Sequence, residues 1–104
     1  MNIDMFPENY QDDIRKATNL LKNEGCKGIF LFGSLVTGDA HKNSDIDIGV
    51  TGLHPSKFFR VCASLDRELT NRVDLVDFDL NNDFYGLLSS LGKWLKLDNK
   101  KKKL

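Results

Sequence analysis

A chain of 104 residues has room for one compact domain and no second independent core. Hydrophobic residues at 40% and charged residues at 29% exclude a disordered or fibrous chain, and no apolar run approaches the ~20 residues of a membrane span. Formal net charge is zero, yet Lys100, Lys101, Lys102 and Lys103 sit together at one end, so the remaining body is acidic and unsuited to extensive duplex binding.

The leading Met-Asn-Ile-Asp-Met-Phe-Pro-Glu lacks the basic and apolar parts of a secretory signal, which makes the cytoplasm the expected compartment. From Glu8 to Asn23, Tyr10, Ile14, Ala17 and Leu21 recur three and four apart, the mark of one helical face. Gly25 suits the stop of that helix. Gly28-Ile29-Phe30-Leu31-Phe32 is wholly apolar and β-prone, which predicts a central strand buried on both faces.

Gly33-Ser34 interrupts this strand. A short helix is expected from Ser34 to about Asp39, with Ser34 as its N-cap, then a polar turn through His41, Lys42, Asn43 and Ser44. Asp45-Ile46-Asp47-Ile48-Gly49-Val50 alternates with period two and predicts a second strand. Pro55 and Ser56 open another helix, carrying Phe58, Cys62, Leu65 and Leu69 on one face. Val73-Asp74-Leu75-Val76-Asp77 reads as a third strand. A helix with Phe84, Leu87, Leu88 and Leu91 starts near Asn81 or Asn82, and Lys93 to Leu97 reads as an edge strand. Alternating helices and strands define an α/β (α+β) domain with a small mixed sheet over residues 1–97, followed by a solvated basic tail at 98–104.

Cys26 and Cys62 stand apart and are expected to be buried apolar residues rather than ligands. His41 and His54 fall in predicted turns and face solvent, while Trp94 and the Phe58-Phe59 pair are expected in the core.

Asp45 and Asp47 lie two apart on a strand, so both carboxylates leave the face opposite Ile46, Ile48 and Val50. Paired acids repel, and hard divalent cations relieve that repulsion through carboxylate oxygens. Alone, such a pair means little, being equally at home on an exposed edge. Gly33-Ser34 adds a backbone that a ligand can approach closely, with a helix start suited to phosphate. The ten residues between the two motifs matter most. Four fixed positions coincide by chance in roughly one chain per thousand of this length, so chance is a poor explanation. Asp74 supplies a third acid from inside an apolar run, where a carboxylate is costly without a purpose. Asp77 and Asp79 stand at the strand's end, where aspartate commonly forms turns. Three acids beside a phosphate cradle are what two-metal phosphoryl or nucleotidyl transfer requires.

Gly33-Ser34, ten residues, then Asp45-x-Asp47, with Phe30-Leu31-Phe32 before and Val73-Asp74-Leu75-Val76 after, resembles the signature of the polymerase-β-type nucleotidyltransferase superfamily. Its smallest members, the minimal nucleotidyltransferases or MNT proteins, are the most similar. The resemblance implies that Asp45, Asp47 and Asp74 are catalytic and hold two Mg²⁺ ions, with Mn²⁺ as an alternative. It implies that Gly33 and Ser34 bind the triphosphate of ATP, with Lys42 and Ser44 as further nucleotide-binding candidates. Many members carry arginine directly after Gly-Ser, where this chain has Leu35. Minimal members pair with a helical HEPN-domain protein, so the implied activity is transfer of AMP from ATP to a tyrosine of a HEPN ribonuclease toxin. Two alternatives stand beside it: nucleotidyl transfer to a small molecule, and a non-catalytic antitoxin that only binds.

Overall fold

The structure is a computed structural model and describes residues 6–39 and 44–97. The expected polar turn around His41 and Lys42, and the basic tail, lie outside the described residues. Among the described residues, four helices and four strands follow in the order α1 (Glu8–Asn23), β1 (Gly28–Phe32), α2 (Ser34–Thr37), β2 (Ile46–Thr51), α3 (Phe58–Glu68), β3 (Val73–Asp77), α4 (Asn82–Leu91) and β4 (Leu95–Lys96). A single 3-10 turn, Pro55–Lys57, leads into α3.

The strands form one mixed sheet in the order β3-β2-β1-β4, in which β1 runs antiparallel to β2 and β4, and β2 runs parallel to β3. Parallel pairing of β2 and β3 needs a crossover, and α3 provides it. β1 is buried along its whole length, as its apolar run requires. At the edge, β4 is only two residues long and is extended by the Leu97 N–H donating to the Ile29 carbonyl at 2.7 Å.

Alternation divides the sheet chemically. Ile29, Leu31, Ile46, Ile48 and Val50 point to one face, where they pack with Tyr10, Ile14, Ala17 and Leu21 of α1 and Val61 and Leu65 of α3. Phe30 and Phe32 point to the other, joining Phe78 under Tyr85 and Leu88 of α4. Trp94 stands edge-on to Phe30 with ring centroids 4.7 Å apart, and Tyr85 lies 5.3 Å from Phe30. Gly49 is required here: a Cβ at that position would collide with the Phe78 ring. The second face is covered less completely, and none of the ten residues of α4 is fully buried.

Several expectations need correction. Gly33, not Ser34, is the N-cap of α2, and the helix ends at Thr37 because Gly38 turns left-handed at φ 87°. Asp45 lies one residue before β2. Val61 rather than Cys62 points into the core; Cys26 is buried but Cys62 is only half-buried. Burial of that degree raises the Cys62 thiol pKa by desolvation. Phe59 is 83% exposed: it lies about 100° further round α3 than Phe58, so Phe58 alone meets the core. His54 is exposed as expected, its Nδ1 accepting the Ser56 N–H at 3.2 Å.

Candidate nucleotidyl-transfer site

Asp47 pairs in register with Phe32 on one side and with Asp74 on the other. In-register partners on neighbouring strands project to the same face, so the two carboxylates emerge side by side. Ile46, Ile48 and Val50 alternate with Asp47 and are fully buried on the opposite face, which anchors the direction of the acid. Val73 and Leu75, partly buried against the same core, orient Asp74 in the same way.

Burial, then the neighbouring Asp74, then Asp45 push the Asp47 carboxyl above its ordinary range. All three acids therefore share one electrostatic neighbourhood, with Asp47 at its centre. Asp45 and Asp47 are half-buried and Asp74 is exposed. Burial in the middle and exposure at one edge leave the cluster open to solvent.

Gly33 closes the site from β1. Its backbone, at φ 79° and ψ −156°, occupies a region reserved for glycine. A Cβ there would collide with the Asp47 carboxylate. The strand thus ends in a turn whose bare backbone lies against the central acid, with Ser34 next to it as the first residue of α2. Leu35 is buried in the main core, so its side chain faces away from the acids.

Ser44 is buried, and its carbonyl accepts a 2.9 Å hydrogen bond from the Tyr10 hydroxyl. Lys42 lies outside the described residues. Asp77 is buried and builds a turn, its Oδ1 accepting the N–H groups of Asp79 and Leu80. Asp79 accepts the Gly52 N–H at 2.8 Å. Both acids have structural work away from the cluster.

Sequence reasoning missed two supports. Asp13 is 1% exposed on α1 and accepts the N–H groups of Thr70 at 3.1 Å and Asn71 at 2.6 Å, pinning the loop that leads into β3. An acid beside Ile14 on an otherwise apolar helical stripe was the available signal. Arg72 is the other; its Nε stands 4.0 Å from Asp45 Oδ2.

Among the described residues no group of three or more His, Cys, Asp or Glu side chains forms a ready-made metal cage. A cluster of mutually repelling carboxylates, one of them pushed towards protonation, nevertheless fits a hard divalent cation. Such ions complete their shells with water and substrate phosphates rather than with protein alone.

An acid cluster on the open end of a mixed sheet, facing a glycine turn, defines a class of phosphate-handling transferases. The polymerase beta nucleotidyltransferase family model matches residues 15–91, and the chain belongs to that family. Comparison with curated proteins returns no match. Among solved structures, a toxin–antitoxin complex with AMP-PNP is 28% identical, with a TM-score of 0.66 over 85% of this chain and 74% of the other. The MntA–HepT toxin–antitoxin structure is 26% identical, with a TM-score of 0.60 over 84% of this chain and 70% of the other. A minimal nucleotidyltransferase structure is 25% identical, with a TM-score of 0.57 over 73% of this chain and 81% of the other.

Proposed function

We propose that the chain transfers AMP from ATP to a tyrosine of a helical HEPN-domain ribonuclease toxin, and acts as the antitoxin of that pair. The observation that carries this reading is the apposition of Asp47 and Asp74 on adjacent strands, under a Gly33 backbone that leaves no room for a side chain. Similarity to toxin–antitoxin structures, one of them with AMP-PNP, supports the partner and the nucleotide.

Asp45, Asp47 and Asp74 would hold two Mg²⁺ ions, with Mn²⁺ as the alternative. Cations held there would supply charge to neutralise the phosphates and to acidify the attacking hydroxyl. Gly33 and Ser34 receive the triphosphate, the glycine through close backbone approach and the serine through its hydroxyl. Lys42 and Ser44 belong to the nucleotide side of the proposal. Asp74, the exposed acid, faces the acceptor and takes the proton from the tyrosine oxygen. That oxygen bonds to the α-phosphorus as the bond from α-phosphorus to its bridging oxygen breaks. Pyrophosphate leaves with the electron pair.

The test is to incubate the chain with ATP, Mg²⁺ and the HEPN protein and weigh the partner. One added adenylate per modified tyrosine is expected, and its loss in an Asp45→Asn, Asp47→Asn double variant. An unmodified partner beside a nucleotidylated small molecule would redirect the proposal to the second acceptor. Full neutralisation by the double variant would leave only binding.

A further inference from the structure

Arg72 precedes β3 by one residue, and its guanidinium faces Asp45. With the arginine side chain 72% exposed, a single contact of this kind is weak in water. The backbone on both sides makes it more than a chance encounter. Tyr10 holds the Ser44 carbonyl at 2.9 Å and so fixes the residue before Asp45. Asp13, one helical turn further along α1, holds Thr70 and Asn71 and so fixes the residue before Arg72. The Ile46 N–H then donates to the Arg72 carbonyl at 2.9 Å, tying the two segments together. Buried groups on one turn of α1 therefore anchor the backbone from which these two side chains extend.

Among the described residues, Arg72 is the basic side chain that an ion pair links to the acid cluster. A fixed cation beside a carboxylate competes with a divalent ion for the same oxygens. Beside a bound triphosphate, the same guanidinium is a fork of donors matched to phosphate. These two demands have opposite signs.

We infer that Arg72 is a positioning residue with two stations. In the cation-free protein it holds the Asp45 carboxylate; once a cation takes that carboxylate, it turns to a phosphate oxygen of the nucleotide. The inference rests on the reading of Asp45 as a metal ligand.

The full chain, stripped of metal, is titrated calorimetrically with Mn²⁺, and the Mn²⁺-loaded protein with AMP-PNP, for wild type, R72A and R72K. R72A is expected to bind Mn²⁺ about 3- to 10-fold more tightly and AMP-PNP about 3- to 10-fold more weakly, with both differences shrinking in high salt. R72K keeps the charge without the fork, so it stays near wild type for Mn²⁺ but loses AMP-PNP affinity. In turnover, R72A raises KM for ATP and changes kcat by less than about twofold. A general folding defect would not produce opposite shifts for two ligands. Should R72A melt early, R72Q preserves the bulk and serves in its place.

Unchanged Mn²⁺ affinity or unchanged AMP-PNP affinity in the neutral variant overturns the inference while leaving the metal reading standing. A wild-type chain that takes up no Mn²⁺ overturns the metal reading, and the inference with it.

Discussion

Asp47 carries a conflict between folding and chemistry. Its carboxyl is pushed up by burial and by two neighbouring acids, so its charged form is disfavoured in the folded chain. The sign follows: the cost is absent below the ordinary value near 3.8, grows as pH rises through the raised folded value, and is complete above it. Asp47→Asn removes that cost, so the metal-free variant is expected to melt at or above the wild-type temperature at pH 7. Transfer activity is expected to fall by roughly 10³-fold or more, the scale on which a member of a catalytic set is missed. A melting temperature well below wild type would contradict the electrostatic account. Gly33 makes the matching case for backbone. Gly33→Ala forces a Cβ into a glycine-only conformation and against the Asp47 carboxylate, at a cost of about 1–2 kcal/mol. Chemical denaturation measures that loss, and KM for ATP is expected to rise with it.

Among the elements, α1 does more than cover the sheet. Its Tyr10, Ile14, Ala17 and Leu21 fill the main core, while Tyr10 and Asp13 also reach across to the loops before β2 and β3. Those loops deliver Asp45 and Asp74. Asp13→Ala leaves the Thr70 and Asn71 N–H groups without their acceptor. The expected loss is about 2–4 kcal/mol by urea unfolding, larger than for any exposed acid on the same helix. Asp12→Ala is the control: among the described residues its carboxylate is paired with Arg15 at 3.5 Å on the surface, so its loss stays within about 0.5 kcal/mol.

The whole molecule is asymmetric about its sheet. One face is sealed by two helices over a fully buried apolar layer; the other rests on Phe30, Phe32 and Phe78, with α4 only partly engaged. Leu87 and Leu91 of α4 are more than half exposed. Local stability follows buried apolar contact, so α4 is expected to exchange its amide hydrogens faster than α1, β1 and β2. Hydrogen exchange read by mass spectrometry checks this, and uniform protection across all four helices would refute it. No helix among the described residues is long and apolar enough to cross a membrane.

Apolar spacing already specified the elements and their order, because a periodicity of 3.6 or 2 is a local property of the chain. It marked α1 to the residue, β1 and β3 to the residue, and the face on which Asp47 and Asp74 lie. Gly33 stood out through the ten-residue spacing of Gly33-Ser34 from Asp45-x-Asp47. Tertiary structure alone decided what depends on partners distant in the chain. Asp13 owes its burial to a loop 57 residues away, whose N–H groups it accepts, and no local spacing specifies that contact. Phe58 and Phe59 point about 100° apart on α3, and only the docking of that helix on the sheet covered Phe58 and left Phe59 exposed. Arg72 had no role until the register of β2 against β3 brought it to Asp45. Spacing along a chain encodes which way a side chain points, whereas what it meets there is settled by long-range pairing.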